Sequence, residues 1–296
     1  MMSTQFWRLT GKCLCVLPVL FLAGCANIFM LHPQMARLAE AQRPVDPMQF
    51  GDSPKIIEVT NAMGKHLAGW VFASPTNHGV VLVGDGNATG IAQTYDYNRY
   101  LLHQGFNIVV LSYQGFDANG GTRGLDSLIG DVEAFYQFCR GRFPNEPIAL
   151  SGESISAGVF FCFVSRHPEL AGAVLEGTVD LKRVVYTQLN HTPFLYLLYP
   201  ITGPLAVFVS STVPGELSAE RALAQHAKVA TLFIHHPKDP ITPYRDARLI
   251  FERYEGEKKF VEPKIEAGKS FHMTGQSYPE IRIEVIEFLR KRLGRN

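Results

Sequence analysis

Five short, near-continuous apolar runs, at residues 80–83, 107–111, 147–150, 172–175 and 229–234, constrain this chain more than any other feature. A strand with one buried face alternates apolar and polar side chains. A short run that is apolar nearly throughout marks a strand covered on both sides, as in a parallel sheet. Helical stretches lie between the runs. Residues 91–104 connect the first two, and residues 125–142 carry Ile129, Val132, Phe135 and Phe138 as a stripe at steps of three. Residues 154–166, 243–254 and 279–293 complete the helical set. This alternation predicts an α/β fold with a mostly parallel central sheet and helices on both faces. Runs at 56–60 and 67–73 precede it as an opening antiparallel pair, and a last strand is expected around 260–265.

One region interrupts the alternation. Residues 181–218 lie between two strands, and their most apolar part, 194–209, is broken by Pro200, Gly203 and Pro204. It is too short and too interrupted to span a bilayer. Two compatible readings follow: helices that cover the core, and a helical cap insertion lined for an apolar substrate.

The N-terminus is different again. Arg8 and Lys12 precede an apolar run at 13–23 that ends in Leu22-Ala23-Gly24-Cys25. The run has the length of a signal-peptide core and falls short of the roughly 20 residues a spanning helix needs. The ending resembles the bacterial lipoprotein box. That resemblance implies that residues 1–24 form a signal peptide and that Cys25 carries a lipid with palmitate-like acyl chains. Ala26 after it resembles the outer-membrane sorting class, implying a periplasm-facing lipoprotein. Residues 25–54, with Pro33, Pro44, Pro47 and Pro54, are expected to form the tether, and residues 55–296 the domain.

Of 296 residues, 46% are hydrophobic and 19% charged, enough apolar material for one large core. The net charge is +1 with both signs scattered, which argues against a nucleic-acid partner. Cys13 and Cys15 leave with the signal. Cys139 and Cys162 each fall in an expected helix, where they either pair or stay as buried thiols. No cysteine or histidine cluster has zinc-site spacing, so no metal site is expected. The sequence leaves the oligomeric state open.

The chemistry-bearing segment is 147–158, PIALSGESISAG. A short buried strand runs directly into a helix with a serine at the turn, and such a strained turn demands small residues on either side. Gly152 and Ser156 supply them around Ser154. Ser156 is the rival nucleophile, but Gly152 directly after the strand favours Ser154. A serine hydroxyl needs a histidine to take its proton and a carboxylate to orient that histidine. In this arrangement the chain order is serine, acid, histidine. Asp239 lies in the loop just beyond the run 229–234, where open α/β sheets place their sites. His272 follows the last expected strand. Asp180 is the rival acid, and His191, His226, His235 and His236 are the histidines set aside. Finally, Gly84-Asp85-Gly86-Asn87-Ala88-Thr89-Gly90 follows an early buried strand. Backbone N–H groups of Asn87 and Ile155 are the expected pair to receive a developing oxyanion.

Together these segments resemble a branch of the α/β-hydrolase superfamily. Its motifs are H-G-N-A, a Y-R-G-like segment, a G-x-S-x-G elbow and H-G-x-x-D followed by proline. Here they stand as Asp85-Gly86-Asn87-Ala88, Tyr113-Gln114-Gly115, the Ser154 elbow and His235-His236-Pro237-Lys238-Asp239 with Pro243, followed by His272, over roughly residues 55–293. The resemblance implies an α/β-hydrolase fold and cofactor-free hydrolysis of carboxylic ester, thioester or amide bonds through an acyl-enzyme. Four positions depart from the motifs: Asp85, Gln114, Ser156 and His236. They motivate an alternative, a hydrolase-like lipoprotein without catalysis that serves as a binding or scaffold module. Asp85 matters most, because a carboxylate beside an oxyanion site opposes charge development.

Overall fold

A computed structural model describes residues 46–84, 86–87, 89–117, 119–191, 199–264, 272 and 278–294. The calls on Cys25, the signal segment and most of the tether lie outside these residues, as does Asp85. In chain order the strands are β1 (Lys55–Thr60), β2 (His66–Phe72), β3 (Val80–Gly84), β4 (Asn107–Val110), β5 (Ile148–Glu153), β6 (Gly172–Glu176), β7 (Thr231–Ile234) and β8 (Lys258–Val261). They form one sheet in the order β1-β2-β4-β3-β5-β6-β7-β8. β2 pairs antiparallel with β1 and β4, and every other pairing is parallel. The helices are α1 (Ile91–His103), α2 (Leu128–Arg142), α3 (Ile155–Val164), α4 (Leu181–His191), α5 (Tyr199–Ser211), α6 (Ala219–Leu223), α7 (Tyr244–Arg253) and α8 (Pro279–Leu293).

The apolar runs are explained by two cores, one on each face of the sheet. Val80, Leu82, Leu150 and Leu175 face a core shared with α2 and α3. Val81, Val83, Ala149 and Val174 face a second one under α1 and α8. Successive strand residues point to opposite faces, so a strand covered on both must be apolar at every step. α3 is buried along its whole length, from Ile155 to Val164. It therefore lacks a polar stripe, as a helix covered all round should.

Several boundaries differ from expectation. β5 runs on through Ser151, Gly152 and Glu153, because the ladders to β3 and β6 use backbone groups and are indifferent to polar side chains. α2 begins at Leu128, not at 125. β8 is Lys258–Val261, not 260–265, and its partial exposure suits an edge strand. The region 181–218 is helical. α4 and α5 pack on each other, Pro204 sits inside α5, and a 3-10 turn at Gly215–Leu217 leads into α6. Cys139 and Cys162 are free, buried thiols on α2 and α3. Among the described residues no helix is long and apolar enough to cross a membrane.

Candidate functional site

The sheet register brings the critical loops to one edge. Gly84 lies opposite Gly152 across β3 and β5, and Glu153 lies opposite Glu176 across β5 and β6. The strands therefore end together, and the loops leaving them meet.

Ser154 occupies the junction between β5 and α3 with φ 52 and ψ −111. A non-glycine residue with positive φ costs about 1–3 kcal/mol and persists only where its surroundings enforce it. Its N–H donates to the Glu176 carbonyl at 2.8 Å, and its own carbonyl accepts the Gly158 N–H at 3.2 Å. Close approach is built in on either side of the turn. A methyl group at Gly152 would stand 2.9 Å from the Ser156 backbone and 2.6 Å from the Phe160 ring. One at Gly84 would stand 2.7 Å from Ser156 Oγ.

His272 Nε2 lies 3.1 Å from Ser154 Oγ, and His272 Nδ1 lies 2.7 Å from Asp239 Oδ2. A carboxylate only accepts, so Nδ1 carries the proton and Nε2 is left to accept the serine hydroxyl. Both partners are nearly dry, with side-chain exposures of 9% for His272 and 2% for Asp239. Burial alone would raise the Asp239 pKa. Hydrogen bonding and charge from His272, together with donors from Thr242, outweigh it and hold the carboxyl below its ordinary value.

The holding turn was missed by sequence reading. Asp239 Oδ1 accepts the N–H groups of Ile241 at 2.8 Å and Thr242 at 2.9 Å, while Thr242 Oγ1 donates to Oδ2 at 2.7 Å. The signal was present in Asp239-Pro240-Ile241-Thr242: an aspartate whose side chain closes a turn onto amides two and three residues ahead. Gly177 was missed too. It has φ +66, and its N–H donates to the Ile234 carbonyl at 2.9 Å.

The rivals are occupied elsewhere. Ser156 is fully buried, with Oγ 2.8 Å from the Tyr113 hydroxyl. Asp180 accepts the N–H groups of Lys182 and Arg183 at the start of α4. His226 pairs with Glu255, and the His236 ring accepts the Lys238 N–H. His235 is buried beneath the Asp239 turn. The side chain of His191 lies outside the described residues.

Three of the four departures are also accommodated. Gln114 is buried, its N–H donating to Asp131, its amide donating to the Thr122 carbonyl and its Oε1 accepting from Asn61. Ser156 and His236 have the partners given above. Asn87 lies within a tight turn in which Thr89 Oγ1 accepts the Gly86 N–H at 2.8 Å, and the Asn87 carbonyl accepts from Arg123 at 3.4 Å. Ile155 opens α3, where the first N–H groups of a helix have no internal acceptor. A hollow of about 390 Å³ opens beside His272, walled by Thr89, Gln93, Tyr97, Glu153 and Ile241. Apart from Ile241, this wall is polar.

Comparison with known proteins bears on the fold that carries this arrangement. Residues 75–207 match the family described as serine aminopeptidase, S33. That span takes in the elbow and stops short of Asp239 and His272. The Salmonella typhimurium protein YfhR is 22% identical over 218 residues, 70% of this chain and 72% of that one. Mouse lysophosphatidylserine lipase ABHD12 is 22% identical over 213 residues; the chain spans 53% of its length, with 70% of this chain matched. Among solved structures, Pyrococcus furiosus esterase Pf2001 superposes with a TM-score of 0.65 at 18% identity, covering 84% of this chain and 96% of that one. Paleococcus ferrophilus monoacylglycerol lipase gives 0.54 at 18% identity, over 76% and 99%. The fold is that of the α/β-hydrolases. The proteins it is similar to are α/β-hydrolase-type enzymes, esterases and lipases among them.

Proposed function

We propose that the protein is a serine hydrolase of carboxylic ester, thioester or amide bonds, with Ser154 as nucleophile, His272 as general base and Asp239 as the acid that orients it. The observation that carries this reading is the unbroken hydrogen-bonded series from Asp239 Oδ2 through His272 to Ser154 Oγ, at 2.7 and 3.1 Å. In this mechanism His272 Nε2 takes the hydroxyl proton as Ser154 Oγ attacks the carbonyl carbon. Asp239 stabilises the imidazolium that forms. The proton then passes to the leaving group, giving an acyl-Ser154 ester and the free alcohol, thiol or amine. Water activated by His272 hydrolyses the ester. The N–H groups of Asn87 and Ile155 are assigned to the oxyanion, the latter at the N-terminus of α3, where the helix dipole favours negative charge.

An acyl substrate fits both the apolar character of 194–209 and the esterase and lipase names of similar proteins. The sequence at Cys25 supports a lipid-anchored enzyme of the bacterial envelope, with its domain held at the periplasmic face of the outer membrane. A fluorophosphonate probe tests the central reading. Wild-type labelling that disappears in Ser154→Ala and persists in Ser156→Ala is expected. Equal labelling of wild type and Ser154→Ala would overturn it. Globomycin, which blocks removal of lipoprotein signals, should leave a larger precursor if Cys25 is lipidated.

A further inference from the structure

We propose that His235 is a positioning residue for this hydrolytic site, acting through the Thr242 carbonyl to hold the turn that grips Asp239 and, beyond it, His272. The inference rests on the roles given above to Ser154, His272 and Asp239.

His235 directly follows β7, and its N–H donates to the Val261 carbonyl of β8 at 3.1 Å, so its backbone belongs to the sheet. Its side chain is 1% exposed. Nε2 stands 3.0 Å from the Thr242 carbonyl. A carbonyl can only accept, so Nε2 carries the proton. Nδ1 is also buried and has no hydrogen-bond partner among the described residues. A second proton there would have nothing to bond to. Burial pulls this ring below the ordinary histidine pKa, against opposing contributions from the Thr242 carbonyl and Asp239. His235 is therefore a neutral ring that donates one hydrogen bond.

The other end of that bond is where it matters. Thr242 donates to both oxygens of Asp239, through its N–H to Oδ1 and its hydroxyl to Oδ2. Oδ2 is also the atom that receives His272 Nδ1–H. The series runs from β7 through His235, Thr242, Asp239 and His272 to Ser154, and each link fixes the orientation of the next. Removing the His235 donor leaves the Thr242 carbonyl without it and frees the turn to rotate. Neutrality has its own purpose. Nε2 of His235 lies 3.8 Å from Asp239 Oδ2. A charged ring at that distance would compete with the His272 imidazolium for the same carboxylate. Among the described residues, the titratable groups acting on or packed against His235 are Asp239, His272, His236 and the edge-on ring of Tyr244, whose hydroxyl is bonded to Glu262.

The test uses the full chain with His235→Leu, His235→Gln and His235→Asn. Glutamine can place an N–H near the Nε2 position, while leucine cannot donate and asparagine is too short. For the leucine and asparagine variants we expect kcat to fall about tenfold with KM unchanged, the equivalent of one lost hydrogen bond. The glutamine variant should stay within about threefold of wild type. Melting curves establish that each variant is folded. A second readout needs no catalysis: the low-field NMR proton of the His272–Asp239 bond should persist in wild type and the glutamine variant, and be lost or shifted upfield in the other two. A folded leucine or asparagine variant with wild-type kcat and an unmoved resonance overturns the proposal, as does a glutamine variant no better than leucine. If the fluorophosphonate probe fails on wild type, the hydrolytic reading falls, and the resonance still decides whether His235 holds the Asp239 turn.

Discussion

The edge of the sheet and the helical region 181–218, expected from the sequence as a cap, are built from opposite materials. Along the edge, Ser154, Asp239 and His272 are far apart in sequence, yet Ser154 and Asp239 are tied to backbone groups by short hydrogen bonds and His272 is held between their side chains. In the cap, residues 184–215 carry no Asp, Glu, Lys or Arg. Ala206 and Val209 of α5 are buried, while Leu205, Val207 and Phe208 remain partly open to solvent. Directional bonds hold a geometry to tenths of an ångström. Apolar contact is non-directional and tolerates repacking. On the proposed reading, chemistry falls to the edge and substrate selection to the helical region. It predicts that substitutions at the edge act on kcat, and those in the cap act on which substrate is preferred.

The strongest way to break this division is at the reacting atoms. Ser154→Ala and His272→Ala should each lower kcat by about 10⁴-fold or more, because members of such a unit fail together. Ser156→Ala, two residues away, should retain activity within severalfold and lose about 1 kcal/mol of stability through its bond to Tyr113. Urea unfolding and ester turnover on the same samples check both. Gly152→Ala comes next. Its added methyl would meet backbone that cannot move aside, so a loss of about 1–3 kcal/mol is expected, with activity falling as the elbow shifts.

A smaller effect should appear in the acid dependence of stability. The Asp239 pKa is depressed on folding from an ordinary value of 3.8. The unfolded chain then holds that proton more tightly, so the stabilisation is complete above about pH 4 and is lost as pH falls through the depressed value. His235 is also depressed, from an ordinary 6.5, by burial. Here the unfolded chain protonates first, and stability declines as pH drops below about 6.5 towards the folded value. Urea midpoints measured from about pH 3 to 8 should be flatter below pH 4 in Asp239→Asn, and flatter below about pH 6.5 in His235→Gln. The smallest effect is expected in the cap. Leu205→Ser with Phe208→Ser should change the ratio of kcat/KM between long and short acyl esters by a few-fold, since one methylene is worth only about 1 kcal/mol, and leave fluorophosphonate labelling of Ser154 unchanged. A uniform loss of kcat across chain lengths would break the contrast from the other side.

Much of the site was legible because its constraints are local. Gly152 and Ser156 flank Ser154 in a turn that accepts only small neighbours, and that requirement is written in adjacent residues. Asp239 and His272 could be chosen by their place after particular strands. The clamp around Asp239 was harder to see. Thr242 and His235 matter through hydrogen bonds whose partners depend on how one loop folds back under another, and Gly177 matters through the path of the chain between β6 and α4. The end of β5 was misjudged for a related reason: Ser151, Gly152 and Glu153 break the apolar run while their backbones continue the ladder.

The sequence by itself determined the layer order and the two-sided burial of the central strands, because side-chain polarity along a strand records what covers each face. Only the tertiary structure decided that the imidazole of His272 reaches both Ser154 and Asp239, that Ser156 is locked to Tyr113, and that a second histidine underpins the acid. Those are distances between residues remote in sequence. They follow from strand register and loop closure, which no local pattern encodes.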